Sequence, residues 1–491
     1  MTNILYKEKL FNAKSVYISF AFFILAGFGQ YLFTIQGSGQ IRYEELAESI
    51  RNVYWLEHGY IYDGVSSNIG WYATLLFLYH TFGFSLFTGR LLRVFLHALS
   101  IFCLHRFLVR HLRTPFAEVL ALMVALSPTL VYFNSIQTSY AMDMVYFPPL
   151  LLLGSIIIET QKKLPRSFLL FLFGLITMIG AMSYPTLLFY GPGVVLLFFL
   201  WKPARQIFSF SSLILLLSGL LLPLLLSLAY LKNPGALIYD DATRSGLFRG
   251  GGRPFINMGI WKNNMSTLAH DLLLQGNSYY FRAKSVEFGS VIAKSSAALL
   301  LLLSVFTLNN YRVYWKWLIP PLLLLLTFCM IPAFATGGSG IRRFTGVLAA
   351  FYWIIAIHFW IIQNQEKNLL QKLSLVFGII LCATHAFSCF VNGRNLSSHD
   401  DYSNQIWFKL AETPQESIAL IKRKLTTDNK SITLCVKNEE GNPVPPRYAE
   451  IYAVLAGDYL WNGGKNIPIY ACDLKQNKLR LLQPKDWILS K

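Results

Sequence analysis

Across residues 1–391 one pattern repeats: an apolar run long enough to cross a bilayer, then a short polar link, with the links alternating in charge. One set of links carries Lys7, Lys9 and Lys14; Arg106, Arg110 and Arg113; Lys162, Lys163 and Arg166; Lys202 and Arg205; Arg312 and Lys316; and Lys367 and Lys372. The other set is either short and nearly uncharged or long and loop-like. A helix needs about 20 apolar residues to span the hydrocarbon core. Excess Lys and Arg marks the cytoplasmic side. The pattern therefore predicts a polytopic helical membrane protein with its N-terminus inside.

Counted this way, about eleven spans are expected by the length criterion. They fall near residues 16–35, 88–109, 116–134, 139–158, 167–183, 185–201, 207–230, 289–308, 316–334, 344–363 and 373–391. Two long external loops follow, about 36–87 and 231–288, and the link at 134–138 leads outward. The first run is longer than a signal-peptide core and lacks a small-residue exit, so it reads as a retained span.

After Val391 the composition becomes that of a soluble domain. Residues 431–436 and 467–471 have strand character, and residues 415–424 and 447–455 have helical spacing. The expected fold is thus an all-α membrane domain over 1–391, joined to a small extracytoplasmic α/β domain over 392–491.

Of the 491 residues, 54% are hydrophobic and 14% charged, too apolar a balance for an ordinary soluble chain of this length. The net charge of +18 is largely the positive-inside bias, and no basic-aromatic interleaving accompanies it, so nucleic acid is not an expected partner. The six cysteines have no zinc-ligand spacing. Cys435 and Cys472 share the C-terminal region and would be able to pair in an oxidising compartment.

Chemistry-bearing residues gather on the expected outer side. In the first loop, Leu46, Ile50 and Val53 share one helical face, with Glu44, Glu48 and Arg51 on the neighbouring face. Glu44 and Glu45 are adjacent carboxylates at a membrane-proximal helix start, suited to general-base work or metal binding, or to a solvated surface. Asp143 lies at the outer boundary of the fourth span. An ionisable residue there turns to a cavity or partner, or sits at the interface capping its helix. Arg342 and Arg343 follow the run Thr336-Gly337-Gly338-Ser339-Gly340, and paired guanidinium groups suit a phosphate or a lipid headgroup. Arg249 and Arg253 flank three glycines in the second loop, where the backbone is free to approach an anion or to hinge. His97 and His385 lie deep in spans, where packing or a proton relay would each fit.

The order of these features resembles the GT-C glycosyltransferases, membrane enzymes that use polyprenyl-phosphate sugars. Within them it is most similar to the group of protein-mannosyltransferases, aminoarabinose transferases and rhizobial lipopolysaccharide transferases. The residues that carry the resemblance are the acids after span one, the interfacial stretch at 71–83, and Gly83 leading to Arg90-Leu91. Ser127-Pro128 ahead of Asp143, and the arginines at 342–343, complete the series. The acidic motif departs from the family pattern: the family's Asp-Glu positions fall on Arg42 and Tyr43, or on Gly39 and Gln40, and the acids stand instead at 44 and 45.

The resemblance implies a transfer with inversion, from a polyprenyl-phosphate sugar to a glycan, lipid or protein acceptor on the outer face. It implies a base at Glu44 or Glu45, Asp143 shaping the site or joining a divalent metal ion, and arginines on the lipid phosphate. Arginines 342 and 343, with 249 and 253 in the second loop, are the substrate-binding candidates. With no retention signal ending the chain, the expected location is a bacterial inner membrane. Two rivals stand beside this reading: a transporter or flippase of a lipid-linked sugar, and a non-catalytic membrane scaffold.

Overall fold

The computed structural model describes residues 13–36, 51–57, 59, 61, 68–83, 86–160, 163–200, 209–234, 258–259, 262, 287–310, 314–330, 345–364, 368–396, 432–434, 469–473 and 478–481. Its helices are α1 (Ala13–Gln36), α2 (Arg51–Glu57), α3 (Ile69–Phe82), α4 (Leu86–Leu108), α5 (Phe116–Ala125), α6 (Pro128–Ser135), α7 (Met142–Glu159), α8 (Lys163–Ser183) and α9 (Gly191–Leu200). They continue with α10 (Phe210–Tyr230), α11 (Glu287–Asn310), α12 (Trp315–Met330), α13 (Thr345–Ile362) and α14 (Asn368–Leu396). A 3-10 turn, Pro185–Tyr190, joins α8 to α9.

Each apolar run of the sequence contains a helix. Among the described residues seven helices are long and apolar enough to cross a membrane, or eight if a bent pair counts as one span. The chain is a multi-pass integral membrane protein. The bent pair is α5 and α6, which meet at 51° around Ser127-Pro128. Pro128 has no N–H to continue the α5 ladder and suits the first position of a new helix. Residues 116–134 are therefore two short helices, where the sequence alone reads as one straight span.

The bundle has a centre and a rim. In α13, 78% of the apolar window is buried, against 6% in α10, so α13 is core and α10 faces outward over most of its surface. What holds α10 is α8. A Cβ on Gly219 would stand 2.2 Å from the Phe171 carbonyl oxygen, and one on Gly174 would stand 2.3 Å from that of Leu216. Two glycines thus bring the helix backbones into contact, the usual means of packing where lipid removes the hydrophobic drive. Further pairs are α1 with α4, α4 with α7, α9 with α12, α12 with α13, and α11 with α14.

Helix ends gather into two sets. At one end, Arg110 on the α4–α5 link donates to Ser155 and to Glu159 at the end of α7. There Gln363, just past α13, donates to the His111 carbonyl at 2.9 Å and accepts the Arg113 N–H at 2.7 Å. At the opposite end lie α2, α3, the 134–141 link, the 3-10 turn and the start of α13, joined by the contacts described below.

In the C-terminal region three strands, β1 (Ile432–Leu434), β2 (Ile469–Asp473) and β3 (Lys478–Leu481), form one sheet in that order. β1 pairs parallel with β2 and β2 antiparallel with β3. Both expected strand segments contain a strand; the two expected helical segments lie outside the described residues. Cys435 also lies outside them.

Candidate functional site

The link between α6 and α7 is polar in sequence yet buried throughout. Asn134, Gln137, Thr138, Ser139 and Asp143 are all 0% exposed. Loops usually lie at the surface, because their backbone and polar side chains need partners. Here the partners come from α3 and α4. Asn68, just ahead of α3, donates to Ser139 at 2.8 Å, and the Tyr79 hydroxyl donates to the Gln137 side-chain oxygen at 2.9 Å. Gly89 makes room for that glutamine, since a Cβ there would lie 1.8 Å from its Oε1. His97 Nδ1 lies 3.1 Å from the Asn134 amide nitrogen, so this histidine is a packed and bonded side chain on its α6 side. The link, expected from the sequence as an outward loop, is sealed under α3.

At the end of the link the chain turns through Ala141, whose φ of 59° is left-handed, and enters α7. Asp143 is the second residue of that helix. Its Oδ1 accepts the Met144 N–H at 2.9 Å. Its Oδ2 accepts three hydroxyls: Thr186 at 2.9 Å, Tyr190 at 3.2 Å and Thr345 at 2.5 Å. A buried carboxylate is costly unless several donors replace its water, and these four do so. Its burial turns the side chain to protein partners rather than to solvent. One oxygen binds the first turn of α7, and the other ties that turn to the 3-10 turn and to α13.

The aromatic packing around Asp143 holds its donors in place. Tyr190 meets Phe328 edge-on at 5.4 Å and Phe147 at 4.7 Å. Gly346, next to Thr345, lets α13 approach: a Cβ there would lie 2.0 Å from the Phe328 ring.

α2 and α3 form the roof of this end. Trp71, Tyr72, Leu75 and Tyr79 bury one face of α3, while Phe77 and Phe82 on the other are 70% exposed. Glu57 of α2 lies 3.4 Å from His80 of α3. Beyond α2 the chain is clasped to the end of α10. The Tyr230 hydroxyl donates to the Leu56 carbonyl at 2.9 Å, and the Lys232 N–H to the Gly59 carbonyl at 2.7 Å. Asn233 accepts the Ile61 N–H and donates to the Ile61 carbonyl, both at 3.0 Å, as a backbone neighbour would. The start of the second long loop therefore lies beside residues 56–61 of the first.

Of the site residues expected from the sequence, Asp143 is placed in this cluster. Glu44, Glu45, Arg249, Arg253, Arg342 and Arg343 lie outside the described residues. Among the described residues no group of three or more His, Cys, Asp or Glu comes together as a metal site. Asp143, the one carboxylate of the cluster, already accepts four hydrogen bonds, so no step through a metal is derived from it. Thr186, Tyr190 and Thr345 carry no sequence motif and were not expected; their only signal is a hydroxyl within three residues of a helix or 3-10 turn start.

No protein-family model matches the sequence, and no curated protein matches it at the sequence level. Among solved structures the fold is similar to the oligosaccharyltransferase of Archaeoglobus fulgidus in its apo form, with a TM-score of 0.46 at 12% identity over 84% of this chain. The chain spans 59% of the length of that protein. It is also similar to ArnT from Cupriavidus metallidurans bound to undecaprenyl phosphate, with a TM-score of 0.45 at 10% identity, covering 94% of this chain and 92% of the other.

Proposed function

We propose that this chain is a GT-C-type membrane glycosyltransferase, moving a sugar from a polyprenyl-phosphate donor to a glycan, lipid or protein acceptor on the outer face. The observation that carries the reading is the buried Asp143 hub. It ties the start of α7 to the 3-10 turn and to the residue that opens α13, two positions after Arg343. Asp143, residues 56–61 of the first long loop and the start of α13 thus lie at one end of the bundle, with Arg343 two positions before Thr345 in sequence.

In this reading Glu44 or Glu45 removes the proton from the acceptor hydroxyl as its oxygen attacks the anomeric carbon. The bond from that carbon to the phosphate oxygen breaks in the same displacement, inverting the anomeric centre. Arg342 and Arg343 stabilise the charge that develops on the leaving phosphate, and Arg249 and Arg253 reach it from the second loop. Asp143 orients the acceptor side of the site, and its filled set of donors favours that role over holding a divalent ion. The reading carries all eleven segments as spans, the hub end facing out and the C-terminal domain on the same side in a bacterial inner membrane.

The fastening of the opposite end speaks against a transporter of a lipid-linked sugar. There Arg110 and Gln363 join α4, α5, α7 and α13, whereas alternating access needs both ends to open in turn. The test is transfer of labelled sugar from polyprenyl-phosphate donors by membranes containing the wild type, or Asp143→Asn with unchanged protein level. Label reaching an acceptor in the first and much less in the second supports the reading. Equal transfer removes Asp143 from the site.

A further inference from the structure

We infer that Arg93 is a positioning residue, which sets the place of Asp143 by fastening both ends of the buried link before it. This rests on the glycosyltransferase reading for its kinetic consequence, but not for its geometry.

Arg93 lies in α4 and is 0% exposed. Its Nη2 donates to the carbonyl of Phe133 at 3.1 Å and to that of Tyr140 at 2.7 Å. Its Nη1 donates to the Met142 sulfur. These acceptors bracket the link from 134 to 142. Phe133 lies in the last turn of α6, where carbonyls lack helical partners and a cation is favoured by the helix dipole. Tyr140 and Met142 stand on either side of Ala141, whose left-handed backbone is disfavoured for a residue with a Cβ. One guanidinium therefore holds the link at Phe133 and again at Tyr140, the residue just before the strained one, immediately ahead of Asp143.

Two further facts separate this arginine from a packing residue. Its plane is covered by Trp71 of α3, with the guanidinium carbon 5.4 Å from the ring centroid, which ties the roof to the same point. Its hydrogen-bond acceptors are all neutral: two backbone carbonyls and a thioether sulfur. Arg93 and Asp143 are both fully buried, and the link that the arginine holds at Phe133 and Tyr140 runs directly into Asp143. Lysine has the charge but not the planar fork that reaches two carbonyls and a sulfur at once.

The test uses Arg93→Lys, Asp143→Asn and the double variant in the full chain, in lipid nanodiscs. A small misplacement of a reacting group costs on the order of 100-fold in rate. Arg93→Lys is therefore expected to lower kcat by about that factor with the donor KM little changed. In the Asp143→Asn background the same change should add almost nothing. Hydrogen exchange should rise at 140–145 in Arg93→Lys, including the Met144 amide that Asp143 accepts, and stay as in the wild type elsewhere. Adding Ala141→Gly, which relieves the left-handed strain, should restore part of the rate. The inference is overturned by a folded Arg93→Lys with unchanged exchange at 140–145, or by losses that multiply with those of Asp143→Asn. Should the wild type transfer no sugar, the glycosyltransferase reading fails, and the exchange experiment alone then decides whether Arg93 places Asp143.

Discussion

Thr345 donates a 2.5 Å hydrogen bond to Asp143 across 202 positions of sequence, and so joins the first residue of α13 to the first turn of α7. The contact makes the most buried of the seven candidate spans start at Asp143. A hydrogen bond to a charged group contributes about 1.5–3 kcal/mol. Thr345→Val keeps the shape and removes the donor, so it should lower stability by about 2 kcal/mol on that scale. The thermal midpoint of the purified protein should fall, and Thr345→Ser should stay near the wild type.

Gly346 lies against the ring of Phe328, which in turn supports Tyr190. Gly346→Ala is expected to displace that ring and loosen the Tyr190 bond to Asp143, with a loss of about 1–3 kcal/mol, as for other overpacked cores. Phe328→Leu should recover part of the loss, because the smaller side chain yields the space. Thermal midpoints of the single and double variants check this. Equal losses in Gly346→Ala with and without Phe328→Leu would contradict the packing account.

Asn233 replaces a backbone neighbour for Ile61 with one donor and one acceptor. Asn233→Ala removes both bonds and Asn233→Asp removes the donor, each bond contributing about 1 kcal/mol. Faster hydrogen exchange at Ile61, larger in the alanine variant, is the expected outcome.

His111, on the α4–α5 link, is held below its ordinary value, at about 4, by burial and secondarily by the neighbouring Arg110. The unfolded chain therefore binds a proton there before the folded one does. The stability this group contributes is complete above pH 6.5 and is lost as the pH falls from 6.5 through about 4. The thermal midpoint should decline over that window, and less steeply in His111→Gln.

The helices were legible in the sequence because each apolar run is long and its links are charged on one side only. Their breaks were less so. Ser127-Pro128 reads as a turn motif, but only packing shows that it divides residues 116–134 into two helices. Asp143 stood out as a lone acid at a span start. Its partners did not, because Thr186, Tyr190 and Thr345 are ordinary hydroxyls 43, 47 and 202 positions away. The polar run at 134–139 reads as an outward loop, since polarity in sequence usually means exposure. It is buried because Tyr79, Asn68 and Arg93 supply the partners that water would have supplied. Arg93 stands three residues after Arg90 at the entry to the second span, but nothing in the sequence shows which carbonyls it meets.

The central claim is that sugar moves from a polyprenyl phosphate at the hub end of this bundle. Its most direct test is transfer of radiolabelled sugar from polyprenyl-phosphate donors by membranes carrying the wild type or the Glu44→Gln, Glu45→Gln double variant. The account predicts label on an acceptor with the wild type and none with the variant at equal protein level. Transfer that is undiminished in the variant would contradict the assignment of the base, and no transfer from any donor by intact wild type would contradict the claim itself.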